Sequence, residues 1–342
     1  MKKMNLLKTI AIAAVMIMAV AALAGCGSSE EEAAAAPEKV VVGTQGLMNL
    51  ETYAELKGYI DKEFGEIPVE YKQFAAGKDL NQAFAAGEID FAVLGASPVA
   101  VALANEIDYQ VIYSTAILTN TEAMVAKNSS GIKNIKDLEG KKIATTFTST
   151  AHYSLLSGLK AKGVDASKVE ILDMEPDKIT AAWTRGDIDA AYTWNPALGT
   201  MKADDGSIVI TSGEIGDLGY PVADFAVVRT EFANQYPDLV TAYLKGIIKA
   251  EDDFANDPSL VYDALSEHFD GYKPADVKAA MTDDYIRGAD QVEDYFNNGE
   301  FTNLVVKISE FLASQEQIPS ALDAEFVGEH VNGTYLQNAT AE

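Results

Sequence analysis

The segment AAWTRGDIDAAYTWNP at residues 181–196 repeats a pattern that the chain has already used at residues 83–98, AFAAGEIDFAVLGASP. Both copies run from an apolar helical stretch through Gly, an acid, Ile and Asp into a short apolar run, and both end at Pro. We expect Gly87 and Gly186 to end helices in the left-handed conformation that other residues resist. The short apolar run after each Gly is typical of a buried strand. The repeat predicts two similar α/β lobes, although helix–Gly–strand units are common enough for such a match to arise by chance.

The two copies also predict where a ligand would bind. Each strand delivers its carboxyl end to a loop, at Gly95–Pro98 in the first copy and at Trp194–Pro196 in the second. In open α/β sheets, ligands bind outside the carboxyl ends of the strands. We therefore expect a cleft shared by the two lobes.

Alternating strand and helix patterns continue to about Arg229, and four helical patterns follow. The alternation with short connections favours α/β lobes with parallel-dominated sheets. We assign lobe 1 to residues 39–120 and 226–342, lobe 2 to residues 121–225, and a candidate hinge to the polar segment Leu118–Glu122. Single helices are predicted at 51–64 and 231–254. Ser97 and Pro98 are predicted to be the cap and the first residue of another helix. The chain from about Asn332 is expected to fray.

The N-terminus predicts export. Lys2, Lys3 and Lys8 precede the unbroken apolar run Ile10–Leu23, which is the order and length of a secretory signal peptide, here residues 1–25, and is too short to be interpreted first as a spanning helix. The sequence LAGC at 23–26 resembles a bacterial lipobox, in which Cys26 would be lipid-modified after cleavage. Cys26 is the single Cys of the chain and so has no internal disulfide partner, although it could also be incidental. The small and acidic residues at 26–38 are interpreted as a flexible tether, which gives an extracytoplasmic, lipid-anchored domain.

Composition narrows the ligand class. The 342 residues include 48% hydrophobic residues and carry a formal net charge of −26, which becomes about −29 once the three signal lysines are removed. About 305 residues then remain, a length that suits two domains. Such a charge argues against nucleic acid, which needs a positive face, and would slow the capture of a simple anion. A zwitterion or neutral ligand would be repelled less by this negative charge. The acidic composition could also serve solubility alone.

Two helix starts are candidate anion sites, Gly95–Pro98 and Thr148–His152. A helix N-terminus carries unpaired N–H groups and partial positive charge, so it binds anions without a cationic side chain. Ser97, Ser149 and Thr150 would add donors there, or they are ordinary caps. The His152 side chain could donate to an anion or only cap the helix.

Trp194 and Asp224 together could hold an ammonium group. An indole face attracts a cation, and a desolvated carboxylate pairs with one. The alternatives are that Trp194 fills the core and that Asp224 is a satisfied turn residue, and Trp183 is expected in the core.

Sequence signatures of an enzyme are sparse. His152, His268 and His330 do not stand at metal-ligand spacing, and no nucleophile, phosphate-loop or dinucleotide motif occurs. An anion pocket without a nucleophile or an acid/base pair favours binding over turnover, with no metal and no cofactor.

Five stretches resemble the nitrate/sulfonate/taurine solute-binding family of bacterial ABC importers, and its taurine-binding branch in particular. They are LGASPVAVA at 94–102, TNTEAMV at 119–125, TSTAHYSLL at 148–156, AAWTRGDIDAAYTWNPA at 181–197 and DFAVVRTEF at 224–232. The resemblance implies the periplasmic-binding-protein type II fold. It also implies that Ser97, Ser149, Thr150 and His152 surround a sulfonate, while Trp194 and Asp224 lie toward an amine.

The ligand-binding residues expected on this basis are Gln45, Asn49, Ala96, Ser97, Thr121, Ser149, Thr150, His152, Trp194 and Asp224. One position departs from the taurine-binding pattern, in which the loop after the first strand carries an acid. Here the aligned Asn49 is neutral and Glu51 stands two residues on, which predicts a weaker ammonium site on that side.

The predicted function is that of a monomeric solute-binding lipoprotein that captures taurine or a related small sulfonate and delivers it to an ABC permease and ATPase complex, with the membrane as its anchor and no nucleic-acid partner. The alternatives are a receptor for another alkanesulfonate, nitrate or a pyrimidine precursor, a binding protein that serves only as a sensor, and an enzyme on the same fold.

Overall fold

The repeated segments become equivalent strands of two sheets. Phe91–Gly95 and Ala190–Trp194 each occupy the third place in a five-stranded sheet. The helices before them end at Gly87 and Gly186, whose φ angles of +68° and +80° confirm the predicted left-handed conformation. The computed structural model describes residues 35–283 and 285–341, so the predicted signal peptide, Cys26 and most of the tether lie outside the described residues.

The ten strands within those residues are β1 Val40–Thr44, β2 Val69–Gln73, β3 Phe91–Gly95, β4 Tyr109–Ile117, β5 Glu122–Lys127, β6 Lys142–Thr145, β7 Glu170–Asp173, β8 Ala190–Trp194, β9 Gly206–Thr211 and β10 Ala223–Arg229. The first sheet has the order β2-β1-β3-β10-β4, and the second has the order β7-β6-β8-β5-β9. In each sheet one strand, β10 or β5, runs against the other four. The prediction of two parallel-dominated sheets is therefore confirmed, with one reversed strand in each.

The α-helices in the described part of the chain are α1 Leu50–Leu56, α2 Tyr59–Phe64, α3 Gly77–Ala85, α4 Ala96–Ala104, α5 Thr150–Lys162, α6 Pro176–Arg185, α7 Ala197–Ala203, α8 Ser212–Asp217, α9 Thr230–Gln235, α10 Pro237–Asn256, α11 Pro258–His268, α12 Pro274–Ala280, α13 Gly288–Gln291, α14 Glu300–Ser314, α15 Ala324–Glu329 and α16 Thr334–Thr340. A π-helical turn, Val292–Asn297, continues α13. No helix within residues 35–283 and 285–341 combines the length and the apolarity needed to cross a bilayer.

Three local predictions about helices are wrong, each for a physical reason. The predicted helix 51–64 is interrupted at Gly58, which takes a left-handed φ of +62°, and the predicted helix 231–254 breaks before Pro237, because proline disfavours helical backbone in the residue before it. The end of the chain does not fray: α16 buries Tyr335, Leu336 and Ala339 and packs on α10.

Segments from distant parts of the sequence meet where the chain passes between the sheets. The first passage is Leu118–Thr121, between β4 and β5, and the second leads from α8 to β10. The Leu118 N–H donates to the carbonyl of Val222 over 2.9 Å, which joins the two passages. Asp283, just after α12, lies against the first passage. The hinge and the residue boundaries of the lobes stay predictions, with β10 already in the first sheet from Ala223.

The strand β10 of the first sheet is buried on both faces. Ala226 and Val228 on one face of β10 and Phe225 and Val227 on the other are fully covered. Burying an apolar side chain of this size contributes about 1.5–3 kcal/mol, so this late strand is a central part of the core. The ring of Phe91 in β3 stacks on Tyr243 of α10 at 4.3 Å between centroids, which fixes the C-terminal helices against the sheet.

Candidate functional site

A cavity lies where the carboxyl ends of β3 and β8 face each other, as the repeat predicted. It offers about 720 Å³ of space free of protein atoms, including its open mouth. The residues that line it come from both sheets and from the segment after α12: Gln45, Leu47, Met48, Asn49, Gly77, Gly95, Pro98, Thr115, Ala116, Leu118, Thr121, Glu122, Ser149, Thr150, Trp194, Asn195, Asp224, Asp283 and Tyr285. No Lys, Arg or His is among these lining residues.

Two helix N-termini from opposite sheets meet at this cavity. Gly95 is the N-cap of α4 and Thr150 is the first residue of α5. They lie so close that a Cβ on Gly95 would stand 2.5 Å from Thr150 Cγ2. The first N–H groups of each helix have no partner inside the helix, so they give this wall of the cavity a positive character without any basic side chain.

Seven of the ten predicted ligand-binding residues line the cavity, namely Gln45, Asn49, Thr121, Ser149, Thr150, Trp194 and Asp224. Ala96, Ser97 and His152 are not among the lining residues, although Gly95 and Pro98 beside the first two are. The side chain of Ser97 is fully buried, and its Oγ has no hydrogen-bond partner. The prediction that Ser97 caps its helix is wrong, because α4 begins two residues earlier with Gly95 as its cap.

Ser149 is the cap of α5 and His152 turns away from the cavity. The Oγ of Ser149 accepts the backbone N–H of His152 at 3.2 Å, which confirms the predicted start of this helix. The His152 ring stacks on Phe147 at 4.3 Å, and its Nδ1 accepts from the backbone N–H of Thr148 at 3.3 Å. Burial lowers the pKa of His152 to about 4, so at neutral pH the ring carries no charge that could attract an anion.

The sequence placed Glu122 in a polar hinge, but it is the first residue of β5 and only 1% exposed. Its carboxylate accepts hydroxyl protons from Thr150 at 2.5 Å and from Ser212 at 2.6 Å, with the hydroxyl of Ser154 at 3.4 Å. Burial raises the pKa of Glu122 to about 7, against the lowering effect of these hydroxyls. A single acid at the start of the apolar run EAMVA was the signal for a buried carboxylate.

Asp224 is a second carboxylate at the helix N-termini. It is paired with Gly95 in the β3–β10 ladder, and the position of a Gly95 Cβ would lie 3.5 Å from its Oδ1. Burial, together with the nearby carboxylates of Glu122 and Asp283, raises the pKa of Asp224 to about 8. Without a cation in the cavity, this group therefore holds a proton at neutral pH.

Asp283 is a third carboxylate that the sequence did not identify. One oxygen accepts the backbone N–H groups of Thr119, Asn120 and Thr121 at 2.7, 3.0 and 3.1 Å, and the other accepts the hydroxyl of Thr121. Burial raises its pKa while these donors lower it. Asp283 thus fastens the segment after α12 to the first passage between the sheets.

Asn49 in the cavity wall is hydrogen-bonded to Glu51 behind it. The Oδ1 of Asn49 caps α1 by accepting from Thr52 N–H at 3.0 Å, and its Nδ2 donates to Glu51 at 3.0 Å. Glu51 lines a smaller neighbouring cavity with Tyr243, and burial raises its pKa to about 8. The neutral Asn49 therefore faces the main cavity, and the acid two residues on lies behind it.

Gln45 and Trp194 complete the walls. Gln45 Nε2 donates to the carbonyl of Val93 at 2.9 Å, which ties the loop after β1 to β3. Trp194 ends β8 and lines both the main cavity and a second pocket that shares Gln45 with it. Trp183, as predicted, is a core residue with 1% exposure.

Two mixed sheets in this strand order, with a cavity at facing strand ends, define the periplasmic-binding-protein type II fold. The alkanesulfonate-binding protein SsuA of Xanthomonas axonopodis pv. citri, solved bound to MOPS, matches at a TM-score of 0.74 and 20% identity over 87% of this chain and 99% of that one. The periplasmic aliphatic sulphonate binding protein SsuA of Escherichia coli matches at a TM-score of 0.68 and 19% identity over 85% and 92% of the two chains. These likenesses confirm the predicted fold.

The sequence comparisons establish the family. Residues 51–260 match the model of the NMT1/THI5-like family. The taurine-binding periplasmic protein of Escherichia coli is 32% identical over 79% of this chain and 84% of its own length. The chain belongs to the NMT1/THI5-like family.

Proposed function

We propose that this protein is the extracytoplasmic receptor of an ABC importer and that it binds taurine or a related small sulfonate between its two sheets. The observation that carries the proposal is the meeting of two helix N-termini, at Gly95 and Thr150, in one cavity whose lining includes no basic side chain. Such termini stabilise an oxyanion with N–H groups and helix dipoles. The likeness to a taurine-binding relative supports the ligand class.

The sulfonate would lie at the two helix starts. Ala96 and Ser97 would contribute backbone N–H groups, since Pro98 has none, and Ser149 and Thr150 would contribute the start of α5. Gln45, Asn49 and Thr121 would complete the polar wall. His152 would support the site indirectly, because its N–H donates to the Oγ of Ser149 and its ring is turned toward Phe147.

The amine would lie between Trp194 and Asp224. An ammonium group beside Asp224 favours the ionised carboxylate and is attracted to the indole face. A simple anion would meet Glu122, Asp224 and Asp283 with no positive group of its own, so a zwitterion fits this cavity better than sulfate or nitrate. Because Asn49 carries no charge, binding of the amine would depend on the carboxylate of Asp224.

Ligand capture would close the two sheets onto each other. The present arrangement already has contacts across the cleft: Lys78 of α3 pairs with Glu175 before α6 at 2.5 Å, and the Tyr272 hydroxyl donates to the Pro196 carbonyl at 2.8 Å. A ligand held from both sides binds this closed form better than an open one, so it shifts the population toward closure. The permease and ATPase complex would then recognise the closed monomer, held at the membrane through lipid on Cys26.

An enzyme on the same fold would need an acid/base pair or a nucleophile at the ligand. In the described part of the chain, Glu122 contacts hydroxyl groups, Asp283 contacts backbone N–H groups and Thr121, and His152 contacts the Thr148 N–H. None of these contacts links Glu122, Asp283 and His152 to one another as an acid/base pair, which favours binding over turnover.

Thermal-shift screening of residues 37–342 tests the proposal. The ligands are taurine, ethanesulfonate, longer alkanesulfonates, sulfate, nitrate, amino acids and pyrimidine precursors, because a ligand that binds only the folded state raises the melting temperature. We expect a large shift with taurine and a small one with ethanesulfonate. A shift with ethanesulfonate and not taurine would mean that the amine is not recognised, and no shift with any sulfonate would exclude this ligand class.

A further inference from the structure

Glu122 and Thr150 both line the ligand cavity, and their side chains are joined by a hydrogen bond. Thr150 is the first residue of α5, lines the cavity and donates its hydroxyl proton to Glu122 Oε2 at 2.5 Å. A threonine hydroxyl has one proton and can donate it in only one direction at a time. While Glu122 is ionised, Thr150 therefore presents only lone pairs to the cavity, which repel an oxyanion.

The other groups around Glu122 are also donors or acids. Ser212 donates to its Oε1 at 2.6 Å, Ser154 lies at 3.4 Å from the same oxygen, and the Tyr192 hydroxyl lies 3.2 Å from Ser212 Oγ. The titratable groups that face it from neighbouring elements are Tyr192 on β8, Asp224 on β10 and Asp283 after α12. No cation compensates Glu122 among these described neighbours, so an anion entering the cavity adds to an uncompensated negative charge.

We propose that Glu122 takes up a proton from solvent when an oxyanion enters the cleft, so that Thr150 turns its hydroxyl hydrogen from Glu122 to the ligand. The protonated carboxyl group then donates to Thr150 Oγ1, and Thr150 donates to the ligand oxygen. Glu122 is thus a positioning residue, which acts on the anionic end of the ligand through Thr150. This inference rests on the proposed function, since it assumes that the ligand carries an oxyanion.

The protonation state of Glu122 supports this assignment. Burial raises its pKa to about 7, so a proton is available at neutral pH and scarce at pH 9. A site that must take up a proton binds its ligand more weakly as the pH rises above the pKa of the free site, by about tenfold in Kd per pH unit. Asp224 changes in the opposite direction, because pairing with an ammonium group releases its proton.

Glu122→Gln separates the two contributions. The amide is nearly isosteric and uncharged at every pH; with its oxygen accepting from Ser212, its NH2 donates to Thr150, so it mimics the protonated carboxyl group and leaves Asp224 in place. We measure taurine binding calorimetrically from pH 6 to pH 9, in buffers with different enthalpies of ionisation, to obtain Kd and the number of protons taken up. At pH 8 the wild-type protein should take up about one proton more per taurine than the variant. The ratio of the wild-type Kd to the variant Kd should rise about tenfold between pH 8 and pH 9.

A merely structural role for Glu122 would change affinity by the same factor at every pH, and a constant Kd ratio with equal proton uptake would overturn the proposal. A second pair of variants guards against misfolding of Glu122→Gln. Thr150→Ser keeps the hydroxyl and should keep the pH dependence, while Thr150→Val removes the hydroxyl and should reduce it. If Thr150→Val retains the full dependence, Glu122 acts by its charge alone and the relay through Thr150 is wrong.

The outcomes distinguish this inference from the function on which it rests. If the wild-type protein binds no small sulfonate at any pH tested, the proposed function is wrong and the inference is overturned with it. If taurine binds and the pH dependence is the same in wild type and Glu122→Gln, only the inference is overturned.

Discussion

A single methyl group at Gly95 should separate ligand binding from folding. Gly95 has φ −64° and ψ 155°, which alanine adopts without strain, so Gly95→Ala leaves the backbone of its own sheet unaffected. The new Cβ would lie 2.5 Å from Thr150 Cγ2 on the opposite side of the cleft. Carbon atoms in contact lie about 3.5–4.0 Å apart, so the two helix starts must move apart by about 1 Å.

The size of the effect follows from this clash. Overpacking by a methyl group costs about 1–3 kcal/mol. Because the clash exists only when the cleft is closed, the cost falls on the ligand-bound form, and Kd for taurine should rise roughly 5- to 150-fold. The melting temperature without ligand should change little, since the two sheets can open to relieve the contact. Calorimetric titration and thermal unfolding measure the two quantities.

Two further variants make this test specific. Gly328→Ala is the matched control, since a Cβ there meets nothing within 4 Å, and it should leave affinity unchanged. Thr150→Ser removes the clashing Cγ2 and keeps the hydroxyl, so it should restore most of the affinity in the Gly95→Ala background, as a double-mutant cycle detects. Unchanged affinity in Gly95→Ala, or no rescue by Thr150→Ser, would refute the claim that the described closed geometry is the one that holds the ligand.

Three other predictions follow from the site. Trp194→Ala should weaken taurine binding roughly 5- to 30-fold, the worth of a desolvated cation–π contact of about 1–2 kcal/mol, and affect ethanesulfonate much less; equal losses for both ligands would remove the ring from the amine site. The raised pKa of Asp224, about 8, means that the ligand-free protein loses stability as pH rises from about 4 to about 8, so the melting temperature of Asp224→Asn should increasingly exceed that of wild type over this range; a constant difference would contradict this. Asp283→Ala removes the charged acceptor of the Thr119–Thr121 N–H groups and should lower the free energy of unfolding by about 1–3 kcal/mol in urea, while the exposed Asp263→Ala serves as control; equal effects of the two would disprove the fastening role.

The sequence predicted those features that depend on local chemistry. The Gly–acid–Ile–Asp repeat identified β3 and β8 as equivalent strands, because the left-handed glycine and the apolar run after it are local requirements. The start of α5 could also be predicted, since the Ser149 side chain caps the helix by accepting the N–H of a residue only three positions further on. The repeat also placed Trp194 at a strand end, and hence in the cavity.

What the sequence could not predict depends on tertiary packing. Glu122 looked like part of a polar connection, and its burial arises from hydroxyl groups that come from α5 and α8. Asp283 follows a surface helix in sequence and enters the site only because α12 packs beside the first passage between the sheets. The polar end of the chain forms α16 because Tyr335, Leu336 and Ala339 are buried where this helix packs on α10. No local sequence pattern predicts this contact.

The strand order has a consequence for the time course of folding in a chain that is made or exported from its N-terminus. All five strands of the second sheet lie within residues 122–211, so this sheet can be completed as one uninterrupted stretch emerges. Within the first sheet the edge strand β4 pairs with β10, and residues 118–222 separate the two. Its bridge from Val111 reaches Val331, which comes later still in the chain. Until β10 arrives, β4 is a newly made apolar strand with both edges unpaired, which is the kind of surface that aggregates or recruits a chaperone. The first sheet, whose strands β1 to β4 are made first, is therefore completed after the second sheet.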